Sequence, residues 1–173
     1  TLLKEKPVKF IIENKLSEKD WVISSDKKRL SQIITNLLSN SAKFTEQGTI
    51  TLSIQLVKTG FKTVSGFKPV SSSTPHLLFS VSDTGIGMSK ENAKRVFESY
   101  TMIENELQKK VKGTGLGLSI CKGFIESFNG KIWVESHLGK GSSFKFWIPY
   151  ITNVKTGLKP VSPVSKPKPE KIN

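Results

Sequence analysis

Apolar residues recur every three to four positions between residues 26 and 45, at Leu30, Ile33, Ile34, Leu37, Leu38 and Phe44. At about 100° per residue they gather on one side, the stripe of a helix packed on a sheet. Asp26 stands where an N-cap belongs. Turn residues follow at 46–48, and the period then drops to two: Ile50, Leu52, Ile54 and Leu56 alternate with polar positions over residues 49–57. That alternation predicts a half-buried strand. Further strands are expected at 8–14, at 77–82, and at 131–135 with 143–148 as an antiparallel pair around the turn 139–141. A β-prone run at 21–24 reads as the partner of 8–14, a strand pair leading into the helix. Residues 89–97 and 118–128 read as a short helix and an amphipathic one.

Two stretches interrupt the pattern. Residues 58–75 are rich in Gly, Ser, Thr and Pro, hold lysines and no acid, and repeat Gly-Phe-Lys at 60–62 and 66–68. They predict a basic insertion between two hairpin strands, with Phe61 and Phe67 docked on a partner or on the domain itself. Residues 98–116 are polar and close on a glycine run, the form of a mobile lid. Pro149 ends the regular pattern. Beyond it, residues 153–173 hold four prolines, five lysines and one glutamate, a composition that predicts a disordered tail or linker. The organisation expected is one domain over 1–150 and a basic Pro/Lys-rich tail over 151–173.

Composition narrows the partners. With 36% hydrophobic and 24% charged residues the chain is an ordinary globular one, and 27 Lys and Arg against 14 Asp and Glu give a net charge of +13. Such a balance suits a polyanionic ligand, nucleic acid or an anionic surface. No apolar run reaches the eighteen or so residues of a membrane span, and the start has no signal-peptide pattern. Cys121 is the single cysteine, which excludes an internal disulfide or thiolate cluster and fits a reducing, cytoplasmic compartment, whether or not the parent protein is membrane-anchored.

The candidate chemistry sits on polar residues beside the apolar ones. Gln32, Asn36, Asn40 and Lys43 fall on a flank of the first helix roughly 130° from its apolar stripe, either a solvated face or a set of amides and an ammonium able to hold a metal ion and a phosphate chain. Asp83 ends a strand and leads into Gly85-Ile86-Gly87. It is a turn residue or, ionised, an acceptor for an exocyclic amine. Gly113-Thr114-Gly115-Leu116-Gly117 lacks the sixth-position glycine of a dinucleotide fingerprint, and no phosphate loop of the G-x-x-x-x-G-K-[ST] type occurs. Its glycines still let backbone N–H groups approach phosphates, with the N-terminus of the next helix behind them.

Taken in order, Asn36-Leu-Leu-Ser-Asn40-Ser-Ala-Lys43-Phe-Thr, Asp83-Thr-Gly85-Ile-Gly87-Met, Val96-Phe97-Glu-Ser-Tyr100 and Gly113-Thr-Gly115-Leu-Gly117-Leu-Ser-Ile closely resemble the N, G1, F and G2 boxes of sensor histidine kinases. The resemblance spans residues 8–149. It implies the Bergerat-type ATP-binding fold, a two-layer α/β sandwich of a mixed, mostly antiparallel sheet on three main helices. It further implies Mg-ATP as cofactor, with Asn40 as the Mg²⁺ ligand, Asn36 supporting it and Lys43 near the phosphates, these three being the catalytic set. Asp83 would lie on the adenine amine, Gly85 and Gly87 would shape the adenine pocket, and Gly113, Thr114, Gly115, Leu116 and Gly117 would form the lid hinge and phosphate contacts. Lys109, Lys110 and Lys112 in the lid would add positive charge. The partners implied are the dimerisation and phosphoacceptor domain of a parent kinase and a downstream response-regulator receiver domain, with no nucleic acid.

The chain departs from that family at Met102, where many members carry an arginine. Its two histidines, His76 and His137, lack the H-E-x-x-x-P type of context of a phosphoacceptor and read as surface residues, so the resemblance is to an isolated catalytic domain. Related ATPases place a glutamate four residues before the metal asparagine, and here that position is Asn36, which has no useful basicity for orienting water. Hydrolysis without an acceptor, a nucleotide-binding pseudokinase and a basic nucleic-acid binder stand as the alternatives to a kinase.

Overall fold

The structure is a computed structural model that describes residues 6–20, 23–57, 75–99 and 115–151. Its elements run β1 (Val8–Asn14), a 3-10 turn (Glu18–Asp20), α1 (Lys27–Phe44), β2 (Gly48–Val57), β3 (His76–Asp83), α2 (Lys90–Arg95), α3 (Gly117–Ser127), β4 (Lys131–His137) and β5 (Gly141–Pro149). The strands make one five-stranded sheet in the order β1-β2-β3-β5-β4, in which β1 and β2 are parallel and every other pair is antiparallel.

Helix α1 forms where the apolar stripe predicted it. Asp26 caps it, its Oδ1 accepting from the backbone N of Lys28 at 3.0 Å and of Arg29 at 3.1 Å, so two of the four otherwise unpaired N–H groups are satisfied. No Gly or Pro interrupts the span. Ile33 and Leu37 are completely buried, and each such side chain contributes about 1.5–3 kcal/mol by leaving water. They meet the inward row of the sheet, where Phe79 and Phe146 stack with ring centroids 4.6 Å apart. Antiparallel to α1, helix α3 buries Cys121 and Ile125 in the same layer.

The register places the site. Along the inward face Leu56, Leu77 and Ile148 lie in one row, Ile54, Phe79 and Phe146 in the next, and Leu52, Val81 and Phe144 in the third. The fourth row, at the end near the C-terminus of α1, is Ile50, Asp83, Ser142 and Ser136. A core-facing row thus turns polar at one end of the sandwich.

One expectation changes. Strand β1 pairs with β2, parallel, rather than with residues 21–24; Ile23 and Ser24 are not in a strand, and Ser24 donates its N–H to the Ile151 carbonyl at 2.9 Å. The sheet already offered a longer apolar edge at β2. Trp133 and Trp147 lie on the opposite face of the sheet, Trp133 buried there and Trp147 half-buried. Phe144, Phe146 and Ile148 point inward, so the period of two turns Trp147 outward, where His76 packs edge-on against it at 4.5 Å. His76 is therefore half-buried, and burial pulls its pKa down. Trp21, Phe61, Phe67, Tyr100, Met102, Lys109, Lys110, Lys112, Gly113, Thr114 and residues 153–173 lie outside the described residues. No described helix is long and apolar enough to cross a membrane.

Candidate functional site

Asp83 is the last residue of β3 and faces inward, 9% exposed. Its Oδ1 accepts from the backbone N of Gly85 at 3.0 Å and of Ser142 at 3.3 Å, and its Oδ2 accepts from Ser41 Oγ at 3.1 Å. Burial pushes its carboxyl above the usual aspartate range, and the three donors partly offset that shift.

The loop after Asp83 is held from two sides. Phe44 at the end of α1 accepts from Ile86 N at 3.2 Å, and the Ile86 carbonyl accepts from Gly139 N at 2.7 Å. Met88 N donates to Ser136 Oγ at 2.8 Å. This close approach leaves no room for side chains at either glycine. A Cβ on Gly85 would lie 2.2 Å from the Phe44 carbonyl oxygen, and one on Gly87, whose φ is +64°, would lie 2.0 Å from that of His137. Glycine is therefore required at both positions.

The polar flank of α1 adjoins the start of α3. Asn36 Nδ2 donates to Cys121 Sγ at 3.6 Å, and a Cβ on Gly117 would stand 3.9 Å from the Asn36 amide. Asn36, Asn40 and Lys43 are half-buried and Gln32 is exposed. Asn40 and Lys43 have no side-chain hydrogen bond or ion pair among the described residues. Leu116 precedes α3 without a capping side chain, and Gly115 has φ +67°, so among the described residues no side chain caps the N–H groups of the first turn of α3. Cys121 is fully buried, a packed small side chain, and burial pushes its thiol pKa up.

The predicted residues thus fall into two groups. Asp83, Gly85 and Gly87 gather at the polar end of the inward sheet face. Asn36, Asn40, Lys43, Gly115, Leu116 and Gly117 belong to the α1 flank and the start of α3. Sequence reasoning missed Ser41, Ser142 and Thr45. Ser41 lies on the apolar stripe of α1, one turn beyond Leu37, and Ser142 continues the inward series Phe144, Phe146, Ile148. A polar residue at an apolar position was the available signal. Thr45 is fully buried at the C-cap of α1, and its Oγ1 has no hydrogen-bond partner among the described residues.

An α/β sandwich with this sheet order and a buried carboxylate beside a glycine turn is the frame of one ATPase class. The model of the family described as "Histidine kinase-, DNA gyrase B-, and HSP90-like ATPase" matches residues 25–152, and the chain belongs to that family. Among its relatives, the circadian input-output histidine kinase CikA of Synechococcus elongatus is 34% identical over 157 residues, covering 90% of this chain and 18% of that protein. Full-length ShkA in complex with AMPPNP superposes with a TM-score of 0.65 at 28% identity, over 87% of this chain and 27% of that one. The catalytic domain of the histidine kinase ThkA gives 0.62 at 27% identity, over 86% of this chain and 84% of that one. The chain is thus an ATP-binding domain of the histidine-kinase type, with the Bergerat fold. It spans less than a quarter of the length of curated relatives such as CikA.

Proposed function

We propose that this domain binds Mg-ATP and transfers the γ-phosphoryl group to a histidine on a separate dimerisation and phosphoacceptor domain of its parent kinase, which passes it to a response-regulator receiver domain. The observation that carries this reading is the apposition of Asn36 on α1 to Gly117 and Cys121 on α3. It brings two motifs, remote in sequence, side by side. The domain is residues 1–150, with 58–75 as an insertion, 98–116 as the ATP lid and 151–173 as a tail.

Asp83 accepts the exocyclic amine of adenine, in the pocket shaped by Gly85 and Gly87. Lys43 and the backbone of Gly113, Thr114, Gly115, Leu116 and Gly117 hold phosphate oxygens, where positioning and charge neutralisation do most of the work of phosphoryl transfer. Asn40 offers the amide oxygen that a hard cation takes. The donor set fits magnesium: among the described residues no three His, Cys, Asp or Glu side chains converge, and Mg²⁺ binds through few protein ligands together with substrate phosphates. When bound, the ion neutralises charge on the phosphate chain. Asn36 stands four residues before Asn40, where a hydrolase needs a base, so the chain keeps water unactivated. The imidazole of the acceptor is the nucleophile.

Calorimetric titration with a non-hydrolysable ATP analogue, with and without Mg²⁺, tests the binding step beside an Asn40→Ala variant. Saturable binding that Mg²⁺ strengthens in the wild type alone is expected. Transfer is tested by mixing the chain with a phosphoacceptor domain and radiolabelled ATP; label on His76 or His137 of this chain would refute transfer in trans. Met102, at the family's arginine position, favours a second reading, a pseudokinase that binds nucleotide without transfer. Binding without label on any acceptor would select it.

A further inference from the structure

The Asp83 carboxylate is nearly saturated. An ionised carboxylate offers about four lone-pair directions, two on each oxygen. On Oδ1 both are taken, by Gly85 N and Ser142 N; on Oδ2 one is taken, by Ser41 Oγ. Among the described residues one direction remains, and it is on the oxygen that Ser41 holds. The two donors on Oδ1 are backbone groups fixed by β5 and the glycine turn, so they form a hinge about which the other oxygen can tilt. Ser41 is the only side chain that stops the tilt among the described hydrogen bonds of this carboxylate. It is 1% exposed, and its hydroxyl points across to β3 instead of back to the helix carbonyl four residues earlier, the usual local alternative for a helical serine.

We propose that Ser41 is a positioning residue for base selectivity: by fixing Oδ2 it leaves Asp83 a single acceptor direction, which accepts a purine bringing one exocyclic N–H and rejects a purine bringing a carbonyl there. This rests on the assignment of Asp83 to the adenine amine. Hypoxanthine carries a carbonyl at that position and an N–H on the neighbouring ring nitrogen, so only a carboxylate free to tilt can pair with it. Without the Ser41 hydroxyl, Oδ2 gains a second free direction and the freedom to use it.

The test is the ratio of affinities for ATP and inosine triphosphate, by calorimetry on the chain of residues 1–173. Ser41→Ala is expected to lower the ATP preference about tenfold, the scale of one hydrogen bond to a charged group, and Ser41→Thr, which keeps the hydroxyl, to restore it. An unchanged ratio in a folded Ser41→Ala, with ATP binding lost in Asp83→Asn, overturns the role of Ser41 alone. ATP binding unaffected by Asp83→Asn overturns the assignment of Asp83 beneath it. The wild type gives an independent measurement. One free direction needs one N–H, so N6-methyl-ATP should bind within a few-fold of ATP while N6,N6-dimethyl-ATP loses tenfold or more; equal loss by both analogues would overturn the single-direction count.

Discussion

The two groups of candidate site residues are built differently. At the end proposed for the base, Asp83 is buried and bonded to three donors, and the loop after it is clamped between the C-terminus of α1 and the β4–β5 turn. At the end proposed for the phosphates, Asn40 and Lys43 are half-buried side chains with no partner among the described residues. The difference fits what each end is proposed to recognise. A neutral ring is told apart by shape and by a few hydrogen-bond directions, which must be fixed before it arrives. A polyanion is held by charge and by an ion it brings along, for which preset partners would only compete. On the proposed assignment, substitutions at the base end should affect stability and binding together, and those at the phosphate end binding alone.

The sharpest way to break this comparison is Gly87→Ala. A Cβ 2.0 Å from the His137 carbonyl oxygen, on a backbone with φ +64°, cannot be relieved by a side-chain shift, and the variant should lose about 3 kcal/mol or more in denaturant unfolding. An unchanged midpoint would mean that the loop is not clamped. Asn40→Ala is the counterpart. It should stay within about 0.5 kcal/mol of the wild type in the same unfolding assay yet lose the Mg²⁺-dependent gain in nucleotide affinity; a large drop in stability would erase the division between the ends.

Titration sharpens the contrast. Since burial raises the pKa of Asp83 in the folded chain, its contribution to stability is fully present below the ordinary aspartate value and is lost as pH rises through the raised one. Nucleotide affinity runs the other way, because a protonated carboxyl has lost acceptor capacity. Lowering the pH through the raised value should thus weaken ATP binding while relieving the unliganded fold, and Asp83→Asn should show neither trend when both are followed by thermal shift and calorimetry. The smallest effect is expected at Thr45, whose buried Oγ1 has no partner among the described residues. Thr45→Val removes that hydroxyl without changing the shape much and should raise stability by about 1 kcal/mol. A loss would show that the hydroxyl has a partner.

Much of this was legible beforehand. Helix α1 and its cap, strands β1, β2 and β3, and the β4–β5 hairpin follow from local periodicity, capping and turn residues, each a property of a few adjacent side chains. The motif residues Asn36, Asn40, Lys43, Asp83, Gly85 and Gly87 were legible as spacing. The partner of β1 was not, since pairing is a competition between strands settled by the whole sheet. Which face of the sheet Trp133 and Trp147 occupy was hidden too, because the register of the whole sheet fixes it.

By itself the sequence determined most of the helices and strands, the run at 21–24 excepted, where the acid and the glycines stand, and which family's motifs they match, because these depend on neighbours along the chain. Only the tertiary structure decided that Ser41 and Ser142 share the Asp83 carboxylate and that Asn36 meets Gly117 and Cys121. Those contacts join residues 42, 59, 81 and 85 positions apart, and sheet register with helix packing alone brings them within hydrogen-bonding or van der Waals reach.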